Sequence, residues 1–343
     1  MQLHIAYSSH FIGAGVIAGG PYRAVESCNE AGATVPISNM LNALYVAMTP
    51  LTAASAPDVD KLLGLAKTTE NIDDLSNIAK QRMYIFTGTK DTKVNQHVGR
   101  TAEAFYRGLG VKQSNMLFVD NIPAGHSIIT QNPEDSPLDT NKPPYINRST
   151  KIGPDGENVP IYDDVPAFTQ SHDILDFIYQ AEKPVPAATS PAGKLLCVEQ
   201  RQYAETETGK ASLARFAYAY IPSKVHAKEA EALGVHIAIH GCKQGYDFIN
   251  YVNGLQDIQN QPPYGSRYIT STGYMEWAEA NNVIILFPQV AGSDSAALQN
   301  PDGCWDWWGY AAEDTANPDY YSRDAVQIKT IYNMFAALTA SDA

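Results

Sequence analysis

The chain has 343 residues, 44% of them hydrophobic, and its 24 basic and 37 acidic side chains give a formal charge of −13. That is enough apolar material for a large core, which excludes disordered, collagen-like and coiled-coil chains. The acidic balance argues against nucleic acid and membrane surfaces as partners, because phosphate binding needs clustered Lys and Arg, and no apolar stretch is long enough to span a bilayer.

The first half of the sequence alternates short apolar strands with helices. Gly13 and Gly15 match a relaxed dinucleotide fingerprint, but a helix precedes them and Pro21 follows, so they indicate a tight strand end. The Pro-, Asp- and Asn-rich stretch 131–166 has no periodicity, which predicts a lid or surface insertion. The helices are predicted at 2–7, 36–48, 59–66 and 94–108, and the strands at 13–20, 83–87 and 115–119.

The second half repeats the alternation. Short apolar strands between helices predict an α/β fold with a mostly parallel sheet covered on both faces. Without any repeat or linker, 1–343 is interpreted as one domain whose two halves share one sheet. The predicted strands are 195–198, 216–221, 235–239 and 283–287, and the predicted helices are 173–180, 273–280 and a last one around 328–338.

Two polar residues follow neighbouring strands of this predicted sheet. Asp91 comes after the strand at 83–87, and His126 comes after the strand at 115–119. Because ligands bind at the carboxyl ends of parallel strands, we expect the two side chains to meet there. In such a pair the carboxylate orients the imidazole, which moves the proton of a nucleophile. The alternative makes Asp91 the N-cap of the next helix and His126 a loop residue.

The strand at 235–239 runs into His240-Gly241-Cys242. In many serine hydrolases an apolar strand that stops at His-Gly begins the loop whose backbone N–H groups hold an oxyanion. An ordinary strand end is the alternative. Further on, residues 305–310 hold three Trp and one Tyr between glycines, which favours a hydrophobic substrate groove over simple core.

The sequence lacks an evident nucleophile. No Gly-x-Ser-x-Gly occurs, and residues 292–296 come nearest but fail at the central position. The four cysteines show no zinc spacing, and we find no metal or cofactor motif. Residues 1–7 begin directly in apolar periodicity, without the features of a signal peptide.

Taken together, these residues resemble the extracellular polyhydroxybutyrate depolymerases, which have a circularly permuted α/β-hydrolase fold. The resemblance covers nearly the whole chain in one order, and it explains why an acid and a His precede the His-Gly loop. The matching stretches are residues 2–8, 15–22, 86–92, 119–126, 144–147, 238–242, 273–274, 277–278, 285–289 and 300–307.

The resemblance implies a role for individual residues. Asp91 would be the acid of a catalytic triad and His126 its general base. The backbone N–H of Cys242 would donate to the oxyanion, and Trp305 would line the substrate subsite. A disulfide between Cys242 and Cys304 is implied as well, and at least one free thiol is expected among the other cysteines, Cys28 and Cys197.

The sequence departs from this family in two places. Family members carry a Ser-Gly-rich nucleophile turn a few residues before the Gln2-Leu3-His4 stretch. We therefore expect the serine, its strand and a signal peptide to be encoded upstream of Met1, with secretion of the full-length form. From Asn147 onward, an insertion of some twenty residues would alter the lid.

Three functions follow as hypotheses. The first is an esterase that cleaves poly(3-hydroxybutyrate) or a similar hydrophobic polyester, nearly inactive as this chain because the nucleophile is absent. The second is an esterase on soluble or plant-wall esters, such as acetyl or feruloyl groups. The third is a non-catalytic polymer-binding homologue. Oligomeric state is not predicted.

Overall fold

Alternating helices and strands make up the computed structural model of the chain, which describes residues 1–27, 36–204, 211–248, 251–252, 255–256, 264–292, 300–314 and 317–340. The helices are α1 (Gln2–Ala6), α2 (Pro36–Asn42), α3 (Val59–Thr68), α4 (Gln96–Gly108), α5 (Gln170–Ile178), α6 (Ser223–His226), α7 (Tyr264–Thr270), α8 (Tyr274–Asn281) and α9 (Val326–Ala340). The strands are β1 (Gly13–Ile17), β2 (Arg82–Phe86), β3 (Met116–Val119), β4 (Ile128–Thr130), β5 (Ser136–Pro137), β6 (Ile146–Arg148), β7 (Thr150–Ile152), β8 (Asn158–Pro160), β9 (Lys194–Glu199), β10 (Phe216–Ile221), β11 (Gly234–Ile237), β12 (Tyr251–Val252), β13 (Leu255–Gln256) and β14 (Val283–Phe287).

Two sheets carry the fold. The first has the order β1-β2-β3 and is wholly parallel, with Val16 opposite Ile85 and Ile85 opposite Phe118. The second has the order β11-β14-β10-β9, in which β11 runs parallel to β14, β10 runs antiparallel to β14, and β9 runs antiparallel to β10. The α/β class predicted from the sequence is confirmed.

In the part of the chain that the structure describes, the two halves do not share one hydrogen-bonded sheet. Among the described residues, β1 pairs with β2 alone and β11 pairs with β14 alone. The expectation of one common sheet was wrong, because hydrophobic periodicity identifies strands but does not say which edges pair.

Fully apolar strands lie where helices cover both faces. All five residues of β14 are buried, and four of the five in β2 are buried. The helix α4 packs on the first sheet through one face, with Val98, Ala102 and Phe105 completely buried. Its first turn is capped by Asn95, whose side chain accepts the backbone N–H of His97.

The stretch 131–166 contains four short strands, β5 to β8, and its part at 144–150 is mostly buried. Asp135 is 1% exposed, accepts a hydrogen bond from Thr130 at 2.5 Å and pairs with Arg267 of α7. Polar side-chain contacts, which follow no periodic sequence pattern, thus hold this segment against the rest of the fold. Its role as a lid stays a prediction.

Within the described part of the chain, no helix is both long enough and apolar enough to cross a membrane. Cys197 on β9 is exposed and not in a disulfide, which confirms the expected free thiol, whereas Cys28 lies outside the described residues.

Candidate active site

The carboxylate of Asp91 and the imidazole of His126 meet at the carboxyl ends of β2 and β3. His126 Nδ1 lies 2.9 Å from Asp91 Oδ2. The Asp91 side chain is fully buried, and its other oxygen accepts the backbone N–H groups of Lys93 and Val94 at 2.8 and 2.9 Å. One oxygen therefore fixes the loop, and the other fixes the imidazole.

The spacing of the two loops depends on glycine. A Cβ on Gly88 would lie 2.1 Å from the carbonyl oxygen of Ala124, and a Cβ on Gly125 would lie 2.2 Å from that of Thr140. These loops also share a backbone hydrogen bond, from the N–H of Lys90 to the Ala124 carbonyl at 3.0 Å. A side chain at Gly88 would force the Asp91 and His126 loops apart, and one at Gly125 would push the His126 loop away from Thr140.

Asn141 joins the same two loops, a role that the sequence did not reveal. Its Oδ1 accepts the backbone N–H of Thr92 at 3.0 Å and that of His126 at 2.9 Å. Its Nδ2 donates to the carbonyls of Lys90 and Asp139, at 2.9 and 3.1 Å. A single amide thus holds the backbone on both sides of the Asp91–His126 pair.

Tyr145 packs edge-on against the imidazole of His126, with ring centroids 5.1 Å apart and planes at 84°. Burial raises the pKa of Tyr145 to about 12, so the ring is uncharged at neutral pH. About a quarter of the His126 side chain is exposed. The imidazole is thus held by Tyr145 and Asp91 and still reaches the surface.

The His240-Gly241-Cys242 turn follows β11. His240 is buried, donates from Nδ1 to the Gly241 carbonyl at 2.7 Å, and accepts the Val290 N–H at Nε2 at 3.2 Å. Burial lowers the pKa of His240 to about 4, so this imidazole is neutral and holds the turn in place. In the described structure the Cys242 backbone N–H donates to no protein acceptor, as an oxyanion donor requires.

Gln244 connects this turn to the His126 side of the site. The side chain is 6% exposed; its Oε1 accepts the Gly241 N–H at 2.7 Å. Its Nε2 donates to the carbonyls of Pro144 and Tyr145, at 2.9 and 3.1 Å. A buried amide thus joins the turn after β11 to the segment whose Tyr145 packs on His126.

The implied disulfide is present. Cys242 and Cys304 are bonded, with Cα atoms 4.2 Å apart, and this bond ties the turn to the aromatic loop. Trp305 follows at once and packs on His240 with ring centroids 5.6 Å apart. Its indole nitrogen is buried and has no hydrogen-bond partner among the described residues.

Most of the site residues predicted from the sequence lie around one cavity of about 640 Å³. His126, Cys242, Trp305 and Trp307 all line it, while Asp91 lies behind His126. Part of the aromatic loop therefore faces a groove, and the interpretation of these rings as core alone is wrong. The Asp91 N-cap alternative is wrong too, since Asn95 caps α4.

No described side chain supplies a nucleophile. Among the residues that the structure covers, the hydrogen-bond partner of the His126 ring is Asp91 alone. Ser127, which also lines the cavity, donates back to the Gly125 carbonyl at 3.4 Å. The arrangement places an imidazole paired with a carboxylate, an open amide donor and an aromatic wall around one cavity.

Comparison with known proteins gives consistent results. No protein-family profile matches the chain. It is 28% identical over 335 residues to a poly(3-hydroxybutyrate) depolymerase of Delftia acidovorans, covering 97% of this chain and 56% of that protein. It is 28% identical over 319 residues to a polyhydroxybutyrate depolymerase of Talaromyces funiculosus, covering 90% and 78%. The chain thus spans little more than half the length of the first relative.

Solved structures agree on the fold. A depolymerase crystal structure from Penicillium funiculosum superposes with a TM-score of 0.68 at 23% identity, covering 96% of this chain and 89% of that one. A structure described as a serine-to-alanine variant of a PHB depolymerase, complexed with an R3HB trimer, gives 0.69 at 23% identity, covering 96% and 88%. The resemblance and the fold class predicted from the sequence are confirmed.

Proposed function

We propose that this chain carries the base, the acid and an oxyanion donor of a serine-type esterase that hydrolyses poly(3-hydroxybutyrate) or a similar polyester. The observation that carries the proposal is the 2.9 Å bond between Asp91 and His126 at a cavity shared with Cys242 and Trp305. A buried carboxylate behind a part-exposed imidazole is the arrangement that makes a hydroxyl nucleophilic.

The proposed chemistry has two halves. His126 takes the proton of a serine hydroxyl from outside the described residues while that oxygen attacks the ester carbonyl. The Cys242 N–H donates to the developing oxyanion, and His126 then gives its proton to the leaving alkoxide. Water, activated by the same imidazole, hydrolyses the acyl-enzyme in the second half.

A water-insoluble substrate is supported by the surface beside the cavity. Ala47 and Met48, at the end of the π-helical segment Ala43–Met48, line the cavity. Around this segment lies an exposed apolar patch, larger than the scattered single residues of an ordinary surface. Its members are Met40, Leu41, Leu44, Tyr45 and Leu51, which are 42, 51, 42, 67 and 96% exposed.

The proposal includes secretion. A disulfide between Cys242 and Cys304 beside the site forms and persists in oxidising compartments, and such bonds are rare in the cytosol.

The Trp305 and Trp307 rings that line the cavity would also admit an aromatic acyl group, which keeps feruloyl esters as a second substrate class.

The substrate is tested by binding. Titration of the full chain with a 3-hydroxybutyrate trimer is expected to quench Trp fluorescence. Trp305→Phe should weaken binding several-fold, whereas Trp308→Phe, whose ring does not line the cavity, should not. Equal binding by both variants would contradict the assigned subsite.

The reaction is tested by turnover on polymer film and on short soluble esters. For the chain as given, the turnover rate is expected to stay near the background rate. Hydrolysis by a form that supplies the serine should fall at least a hundredfold with His126→Ala. Hydrolysis that survives both His126→Ala and Asp91→Ala would refute the scheme, and faster turnover of feruloyl esters than of film would favour the second class.

A further inference from the structure

Asp306 stands in the aromatic loop at 305–310, between two Trp residues that line the cavity. Its neighbours Trp305 and Trp307 contribute to the cavity wall, whereas Asp306 itself does not line that cavity. Neither the pair of Asp91 and His126 nor the oxyanion turn uses this carboxylate. An acid between two wall residues therefore has a role that the proposed reaction leaves open.

Four backbone N–H groups hold the Asp306 carboxylate. Its Oδ1 accepts those of Trp308, Gly309 and Tyr310, at 3.2, 2.7 and 3.1 Å. Its Oδ2 accepts that of Ala311 at 2.9 Å. Successive N–H groups that converge in this way form an anion-binding nest, and the anion here is a side chain of the same loop. The carboxylate therefore closes the chain from 306 to 311 into one turn.

The charge of Asp306 is balanced by these amides. No Lys, Arg or His in the part of the chain that the structure covers forms an ion pair with it. Desolvation raises the pKa of Asp306 to about 6, so the group is ionised at neutral pH. Hydrogen bonds to a charged acceptor are about twice as strong as neutral ones. An asparagine of the same shape has one acceptor oxygen, so its N–H groups would oppose part of the nest.

Gln327 of α9 fixes this turn to the rest of the fold. Gln327 is buried, and its Oε1 accepts the backbone N–H of Asp306 at 2.7 Å. Its Nε2 donates to the carbonyl of Ala211 at 2.6 Å and to the hydroxyl of Tyr310 at 2.9 Å. That hydroxyl donates in turn to the carbonyl of Cys304 at 2.8 Å. The turn is thus bonded both to a helix and to a disulfide-linked residue.

Ring contacts connect the turn to the cavity wall. Trp307 packs edge-on against Trp308, with ring centroids 5.4 Å apart and planes at 85°. The Trp308 ring lies 4.9 Å from that of Tyr310. Because the backbone N–H groups of Trp308 and Tyr310 are both bonded to Asp306, the carboxylate determines where these two rings stand. Trp305 lies directly between the disulfide-bonded Cys304 and Asp306.

We propose that Asp306 is the positioning residue of the aromatic wall. Its charge holds Trp305 and Trp307 in the orientation that binds the polyester chain, so it sets substrate affinity and leaves the rate of the chemical step unchanged. This inference rests on the proposed function, because the affinity concerned is that for a 3-hydroxybutyrate chain. The carboxylate acts through the two rings and makes no contact with the substrate.

The test compares Asp306→Asn with the parent chain in calorimetric titration with the 3-hydroxybutyrate trimer. Asp306→Asn should bind the trimer at least tenfold more weakly, since it weakens hydrogen bonds to a charged group. It should also weaken the near-ultraviolet circular dichroism of the Trp rings while the far-ultraviolet spectrum stays unchanged. Asp314→Asn makes the same exchange at an exposed position further along and should match the parent in both measurements. A folded Asp306→Asn with the parent's affinity would overturn the inference, whatever its Tm.

A second variant covers the case in which Asp306→Asn does not fold. Gln327→Met removes the acceptor of the Asp306 N–H and should weaken trimer binding about threefold; unchanged affinity would then overturn the inference.

Kinetics separate positioning from catalysis. In a form that supplies the serine, Asp306→Asn should raise KM for the trimer about tenfold and leave kcat for a short soluble ester within about twofold. A large fall in that kcat would contradict a positioning role. Failure of the proposed function has a different result: the parent itself then binds no trimer, and the inference falls with it. Equal binding by the parent and Asp306→Asn overturns the inference alone.

Discussion

The disulfide between Cys242 and Cys304 offers the most direct test of how the site is held together. It closes a loop of 62 residues. In the chain-entropy treatment, a closure of that length stabilises the fold by about 4 kcal/mol. For a chain of 343 residues the unfolding entropy is about 0.7 kcal/mol/K, so this free energy corresponds to a fall in Tm of about 6 °C.

The assay is thermal unfolding, followed by circular dichroism, of the Cys242→Ala, Cys304→Ala double variant. Cys197→Ser is the matched control, since that thiol is exposed and takes part in no disulfide. The control should melt within about 1 °C of the parent. A double variant that melts with the parent, or a control that falls as far, would refute the view that this bond tethers the turn to the aromatic loop.

Three further predictions address other parts of the site. Asn141→Ala removes the amide that joins the Asp91 and His126 loops; unfolding in urea should show a loss of about 2 kcal/mol, and the downfield imidazole N–H resonance of His126 should shift. Burial lowers the pKa of His4 from 6.5 to about 4, so its contribution to stability is full above pH 6.5 and is lost as the pH falls toward 4; in His4→Gln the slope of unfolding free energy against pH over that window should flatten by up to about 1.4 kcal/mol per unit. Tyr45→Ser, at a 67% exposed position of the apolar patch, should weaken adsorption to polymer film in a depletion assay without changing Tm, and unchanged adsorption would remove the patch from the proposal.

The strands and helices that follow a periodic sequence pattern could be predicted well. Apolar runs such as β2 and β14, and amphipathic helices such as α4 and α9, depend on local patterns that burial enforces. The meeting of Asp91 with His126 was expected because both residues come after successive strands of the predicted parallel sheet, while the N-cap alternative stayed open until the structure placed Asn95 at the start of α4.

The features that could not be predicted are set by distant contacts. Asn141 and Gln244 lie in polar turns without periodicity, and their roles depend on which carbonyls the fold brings within reach. The separation into two sheets likewise depends on which strand edges pair, and no local part of the sequence encodes this pairing. The disulfide required the family resemblance, because spacing alone leaves the pairing of four cysteines open.

The Gln244 side chain has a consequence for tuning this site. Its amide is directional: the oxygen faces the Gly241 N–H, and the nitrogen faces the Pro144 and Tyr145 carbonyls. Glutamate has nearly the same shape but, when ionised, would present negative oxygen to both carbonyls. Gln244→Glu would therefore change the distance between the turn at Gly241 and the Pro144–Tyr145 segment without altering Asp91, His126 or Cys242, because the polarity of the amide sets this distance as well as its length.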